Sequence, residues 1–291
     1  MDSIWLTDKI KINKSQIQEN ETETDVCIVG GGIFGITCAY YLSKLGFNVI
    51  VLEKDFIGSK TTGHTTGKIT SQHGLFYRYL TNSFSKKFAK DYLEANELSI
   101  KNIKKIIDDE KINCDFNYQN SYVYATTDIE AHEIYYEKNI LDIIGFNNCD
   151  VVTKVGLPFD IICALCFKNQ AQFNPIKYLN GLCDSIKSNG NFIIEKATVT
   201  DIKDYKDFYM TISNLITVKS KYVIIASHYP FINFPGFYFM KMYQSTSYLI
   251  GVDTKKTLFN GRYLSASSPT YSFRTAYYNG KKILLIGGRR T

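Results

Sequence analysis

Gly30, Gly32 and Gly35, within "VCIVGGGIFGITCAYYLSKLGFNVIVLEK", have the GxGxxG spacing that lets a backbone close around a pyrophosphate. The first glycine permits a tight turn, the second lets backbone N–H groups approach the phosphates, and the third lets helix and strand touch. Glu53 follows 18 residues after Gly35, where a carboxylate can accept both hydroxyls of a ribose. It would repel the 2′-phosphate of NADP, which leaves NAD and FAD. The fingerprint lies near the N-terminus, and Ala39 and Gly46 extend it in the longer pattern of chains that bind FAD first, so FAD is favoured. A second stretch, "IGSKTTGHTTGKITSQHG" over residues 57–74, has few large apolar side chains and can bury little surface. Thr61, Thr62, Thr65 and Thr66 offer hydroxyls there, and Gly63 and Gly67 offer exposed N–H groups, which can follow phosphates and a flavin ring edge without bulk. A surface loop is the competing reading of this ribbon.

These groups need a scaffold, and the pattern around them supplies one. "DVCIV" reads as a strand, the glycines as a turn, the following residues as a helix to about Leu45, and "NVIVLE" as a second strand, a βαβ unit. Phe88, Tyr92, Ala95 and Ile103 recur near helical spacing over 85–107, and a further helix over 129–144 ends at Gly145. "SYVYATT" alternates as a strand. Asn174 and Pro175 open a helix that stops at Gly190. "FIIE", "TVTDI", "FYMTIS", "LITVK" and "YVIIAS" read as strands, and Asn279-Gly280 joins two more in a hairpin. The fold class predicted is α/β with an α+β second domain: a Rossmann-like, doubly wound FAD/NAD(P)-binding domain interleaved with an antiparallel β-sheet substrate domain. The expected division is an arm over 1–24, an FAD-binding domain over 25–84 and 171–228, and a substrate or cap domain over 85–170 and 229–291. Apart from Trp5, the arm reads as polar and loosely packed.

The 291 residues suffice for one large or two ordinary domains, and 45% hydrophobic with 21% charged residues is globular composition. The net charge of +6 comes from scattered lysines without a block of like charge, which reads as solvated surface and not as a nucleic-acid footprint. "MDSIWLTDKIKIN" has no apolar core of a leader. The apolar run from Val26 to Leu52 is broken by its glycines, Lys44 and Asn48 before the roughly 20 residues a spanning helix needs, so no membrane partner is expected. Seven irregularly spaced cysteines suit a reduced, cytoplasmic chain. Cys163 and Cys166 form a CxxC, but a strand would point them to opposite faces, and no metal site is expected.

Taken together, "SIWL", the 25–54 fingerprint, "GSKTTGHTTGKITSQHGL", "FKNQAQFNPIKYL", "YVIIASHYPFINFPGFYF" and "YSFRTAYYNGKKILLIGG" make the chain resemble the D-amino-acid-oxidase-type FAD-dependent oxidoreductases, the glycine and sarcosine oxidase superfamily. Within it, the chain is most similar to the bacterial branch whose members carry a C-terminal Rieske iron–sulfur domain. The resemblance implies that Gly30, Gly32, Ile33, Phe34 and Gly35 hold the pyrophosphate, Glu53 the ribose, and that Lys54 lies beside the adenine. It places Thr61, Thr62, Thr65, Thr66, Gly67 and Lys68 along the phosphate-to-flavin path, Val199 against adenine, and Ala226 and Ser227 at a second nucleotide-facing turn. In some relatives a histidine near the position of His64 bonds the flavin covalently, although the flanking residues differ here. Relatives continue past "LLIGG" to a Gly-rich turn and helix, and a Rieske domain needs Cys-x-His pairs that these seven cysteines lack. The chain is therefore expected to be a truncated relative or a fragment.

The resemblance implies oxidation of a small-molecule amine or amino acid by hydride transfer to flavin N5, with oxygen or a redox protein as electron acceptor. Substrate-side candidates are Arg274, His228, Tyr243 and Gln244. Arg274 can pair with a carboxylate in bidentate fashion, and reads equally as a surface arginine. His228 reads equally as a loop histidine. A non-catalytic or weakly FAD-binding remnant is the competing reading of the whole chain.

Overall fold

The computed structural model describes residues 3–7, 21–234, 236–256 and 258–289. In chain order, β1 (Glu21–Val29) passes through the glycine turn into α1 (Ile33–Lys44) and β2 (Val49–Glu53). A 3-10 turn at Thr62–His64 precedes β3 (Lys68–Ile69), α2 (Tyr77–Ser83), α3 (Lys86–Asp109), β4 (Asn117–Ala125) and α4 (Asp128–Ile143). Next come β5 (Cys149–Val152), β6 (Cys163–Gln172), α5 (Pro175–Ser188), β7 (Phe192–Glu195), β8 (Val199–Asp204), β9 (Tyr209–Ser213) and β10 (Thr217–Ile225). The chain continues through β11 (Ser247–Val252), β12 (Arg262–Ser265), β13 (Tyr271–Tyr278) and β14 (Lys281–Arg289). Two compact units divide it. Unit 1 comprises Met1–Thr65, Ile107–Cys114 and Asn174–Gln244, and unit 2 comprises Thr66–Ile106, Asp115–Phe173 and Ser245–Thr291.

Unit 1 is built on a six-stranded sheet in the order β7-β2-β1-β10-β9-β8. The first four strands run parallel, and β9 and β8 are antiparallel additions. The apolar runs of β1 and β2 are what a parallel strand covered on both faces requires: Cys27, Ile28, Val49, Ile50, Val51 and Leu52 are all buried. α5 packs against α1 and β7. Its start follows from Asn174, whose side chain accepts from Ile176 N and Lys177 N at 3.0 and 3.1 Å. Ile176, Leu179, Leu182 and Ile186 point inward, each contributing on the order of 1.5–3 kcal/mol over an exposed position.

Two sequence expectations change here. "LITVK" and "YVIIAS" are predicted as separate strands, but Thr217–Lys219 of the first and Tyr222–Ile225 of the second belong to the single strand β10. β10 pairs β1 from Thr217 to Ile225, while β9 covers its other edge only as far as Ser220. Exposure at Lys221 and Tyr222 marks where that second neighbour ends, not a turn. Nor is the whole predicted arm loose: β1 begins at Glu21, and Trp5 is buried with Nε1 donating to Thr65 O at 2.8 Å. Residues 1–2 and 8–20 of the arm lie outside the described residues.

Unit 2 holds the mixed sheet β11-β14-β13-β12-β4-β6-β3, with β5 also paired to β6. β12 runs parallel to β4, and the other pairings are antiparallel. α4 starts with a full capping box between Thr127 and Glu130, and its C-terminal exit uses Gly145 at φ +84°. The face α3 buries carries Ala89, Leu93 and Ile100, whereas Phe88 and Ala95 of the predicted stripe are exposed. Phe88 instead stacks on Phe84, with ring centroids 4.7 Å apart. Residues 66–84, expected with the nucleotide-binding domain, lie in unit 2 because β3 pairs with β6, and 229–244 lie in unit 1. Cys163 and Cys166 are buried and unbonded in β6, and burial pushes both thiols up. Among the described residues no cluster of His, Cys, Asp or Glu has a metal-holding arrangement, and no helix is long and apolar enough to cross a membrane.

Candidate functional site

The glycine turn lies in unit 1 between the carboxyl end of β1 and the first residue of α1. Gly30 has φ +114°, and a Cβ there would sit 2.5 Å from Ala226 O, so only glycine fits. At Gly35 a Cβ would sit 2.0 Å from Gly30 O, so α1 and the turn touch through bare backbone. Gly32 differs: a Cβ there would meet only Thr62 Oγ1, at 3.5 Å, and would otherwise project into a groove of about 650 Å³.

That groove opens at the carboxyl ends of three parallel strands, touching Val29 of β1, Leu52 and Glu53 of β2, and Ile225 of β10. This is where open α/β sheets take their ligands. α1 begins at its edge with no acidic residue in the first turn and no side-chain cap on Gly32. Ile33 N donates to Thr62 Oγ1 at 3.1 Å, so the threonine ribbon approaches the helix at its partially positive end. An anionic group suits that end.

Glu53 is held rigidly in the lining. Its Oε2 accepts from Gly31 N at 2.6 Å and its Oε1 from Asp55 N at 2.7 Å, leaving each oxygen a further lone pair. Beside it on β7, Glu195 accepts from Ile57 N at 2.7 Å; burial raises its carboxyl, and the Glu53 charge adds to the effect. Lys60 lies 2.9 Å from Asp55 and holds that carboxyl below its usual range.

Of the predicted cofactor residues, Gly30, Gly32, Ile33, Phe34, Glu53, Lys54, Thr61, Thr62, Val199, Ala226 and Ser227 all line this groove. Gly35 supports it from beneath the turn. His64 is exposed, its Nδ1 donating to Lys60 O at 2.7 Å. Thr65 belongs to unit 1 through its bond from Trp5, while Thr66, Gly67 and Lys68 fall in unit 2, where Gly67 O accepts from Phe173 N at 3.1 Å. Of the substrate-side candidates, His228 lines the groove at φ +63°, while Tyr243 and Gln244 are exposed and outside its lining. Arg274 is buried in β13 of unit 2, not on the surface; its Nε donates to Thr275 O at 3.2 Å and its Nη1 to Thr66 O.

The groove also takes in Asp55, Phe56, Ser59 and Lys60, which sequence reasoning passed over. Their signal was available, since they follow directly on the acidic strand end where such ligands sit.

Residues 25–289 match the family of FAD dependent oxidoreductases known as DAO. The chain belongs to that family. Over 287 residues it is 34% identical to a putative Rieske 2Fe-2S iron–sulfur protein, YhfW, of Bacillus subtilis, covering 99% of this chain and 56% of that protein. It is 26% identical to the γ-glutamylputrescine oxidoreductase of Escherichia coli over 72% of this chain and 50% of that one. The chain thus spans about half the length of the curated relatives it matches. Among solved structures, the L-proline dehydrogenase of P. horikoshii shares the fold with a TM-score of 0.73 at 18% identity, over 93% of this chain and 71% of that one. FAD is the family's cofactor, and the donor set of the groove fits its adenosine diphosphate end. Gly32 leaves ligand space, the start of α1 lacks a neutralising acid, and Glu53 presents a fixed carboxylate.

Proposed function

We propose that this chain binds FAD through the unit 1 groove and acts as an oxidoreductase on an amine or amino-acid-like substrate, at a carbon bonded to nitrogen. The observation that carries the proposal is the convergence, at the carboxyl ends of β1 and β2, of the glycine turn, the start of α1 with no acidic residue in its first turn, and the anchored Glu53. The names of the relatives support the substrate class, since one acts on γ-glutamylputrescine and another on L-proline.

In this reading the amides at Gly32, Ile33 and Phe34 hold the diphosphate, Glu53 accepts the ribose hydroxyls, and Lys54 and Val199 flank adenine. Ala226 and Ser227 form the opposite wall. Thr61 and Thr62 carry the ligand away from α1, and Thr65 continues the ribbon. Bound FAD supplies a hydride acceptor at N5.

The test is the absorption spectrum of the purified full chain with added FAD, followed by anaerobic addition of amines and amino acids. The expected result is flavin bands that stay with the protein through desalting and bleach with one of those substrates. A protein that retains no FAD refutes the binding site. Retained FAD that no amine or amino acid bleaches refutes the assigned reaction.

A further inference from the structure

Unit 2 contains a concentration of buried positive charge that the groove does not use. Arg262, the first residue of β12, is 1% exposed. Its Nη1 donates to Ala171 O at 2.6 Å and Ile69 O at 3.2 Å, which anchors one side of the guanidinium to β6 and β3. Nε and Nη2 are buried with no acceptor among the described residues. These two nitrogens form one edge of the guanidinium plane, the pair that grips a carboxylate or a tetrahedral oxyanion with two parallel hydrogen bonds.

The surroundings sharpen the need for an anion. Lys68 on β3 is opposed by the charges of both Arg262 and Arg274, and Arg262 is opposed in turn by Arg274. No carboxylate among the described residues offsets the charge on Lys68 or Arg262. Glu97, which reaches β6 through Gln170, accepts from Ser71 Oγ at 2.5 Å and Gln170 Nε2 at 2.9 Å. Burial, with the charges of Arg262 and Arg274 adding to it, brings the Lys68 ammonium down to about 7. Cations taken out of water are costly unless paired and fully hydrogen-bonded. A half-used guanidinium beside a lysine therefore marks a place where the missing negative charge comes from outside the chain.

We propose that Arg262 and Lys68 form an oxyanion site within unit 2, with the Nε–Nη2 edge of Arg262 as its bidentate clamp. The ligand is an oxyanion, either the carboxylate of an organic acid or an inorganic anion such as sulfate. The carboxylate case deepens the reading above, because it makes the substrate an amine that also bears an acid; the inorganic case stands apart from it.

The experiment is calorimetric titration of the full chain with sodium acetate and, separately, sodium sulfate at constant ionic strength, with thermal unfolding in parallel. The parent is compared with Arg262→Lys, which keeps the charge and removes the fork, and with Lys68→Met. Saturable binding of either anion by the parent, weakened about tenfold or more in the folded variants, is the expected result. Saturation by acetate alone identifies a carboxylate site, and saturation by sulfate an inorganic one. Absence of saturable binding by the parent, or binding undiminished in the folded variants, overturns the proposal. Should Arg262→Lys not fold, Lys68→Met decides. FAD uptake, read separately at the flavin bands, shows whether the oxidoreductase reading stands or falls independently.

Discussion

Replacing Gly35 by alanine sets two physical effects against each other. Gly35 lies inside α1, where alanine is favoured over glycine by about 1 kcal/mol on helix propensity. Its new Cβ, however, would stand 2.0 Å from Gly30 O, against the 3.0 Å below which real Cβ contacts are essentially never found. Backbone cannot swing aside as a side chain does, so the start of α1 must part from the turn by about 1 Å. Overpacking of this kind costs about 1–3 kcal/mol, which leaves a net destabilisation of up to about 2 kcal/mol after the gain in propensity. The larger effect is on the ligand. The parting moves the amides of α1 relative to the turn, and losing one hydrogen bond to a charged phosphate costs about 1.5–3 kcal/mol, or roughly a 10–100-fold rise in the FAD Kd. FAD titration by flavin fluorescence, with urea unfolding of the apoprotein alongside, reads both quantities. Gly46→Ala is the control: it also changes a glycine at the end of α1, with φ +86° but nothing within 4 Å of the added Cβ. It should cost stability through backbone strain of about 1–2 kcal/mol and leave FAD affinity unchanged. A Gly35→Ala protein as stable as the parent, with an unchanged Kd, would refute the contact between helix and turn as the basis of binding.

Trp5 is the chain's one tryptophan and is buried, so its emission should be blue-shifted in the folded protein. Trp5→Phe, which loses the bond to Thr65 O, should lower stability by about 1 kcal/mol in thermal unfolding; an unchanged Tm would mean that contact is not formed. Asn174→Ala removes the cap that serves Ile176 N and Lys177 N, and should cost about 0.5–2 kcal/mol in urea unfolding. Lys68 gives a pH signature. With its ammonium brought down to about 7 from 10.5 by burial, Arg262 and Arg274, the unfolded chain binds a proton between those values that the folded chain does not. Stability should therefore climb between pH 7 and 10.5 relative to Lys68→Met, on the order of a few kcal/mol, and be lost as pH falls through 7. Saturating oxyanion should flatten that slope by holding Lys68 charged, and a parent and variant with parallel pH profiles would show that the ammonium of the half-buried Lys68 is not shielded from water.

The groove was legible because its signals are local. Gly30 and Gly35 are demanded by a backbone angle and a close approach within a few residues, and the strand before them and helix after them are written in adjacent apolar patterns. The same holds for the Asn174 cap, for Gly145 at the exit of α4, and for the Asn279-Gly280 hairpin, where both residues take positive φ. Where the reading erred, a distant neighbour had decided the outcome. Half of the α3 stripe was misplaced: Tyr92 packs on the core, but Phe88 and Ala95 do not, because helical spacing admits several faces and packing selects one. β10 was cut in two because its exposed middle looks like a loop when the extent of β9 is unknown.

By itself, then, the sequence determined that a strand, a glycine turn and a helix border a groove lined by Glu53, since each step there depends on bonds and angles a few residues long. Tertiary structure alone decided that Trp5 seals the ribbon at Thr65, that Arg274 is buried, and that Arg262 lies with Lys68 across 194 positions of sequence. No pattern in the chain marks Arg262. Its open guanidinium edge exists because strands β3, β6 and β12 converge on it, and burial of a charge is a property of what surrounds a residue, not of what adjoins it.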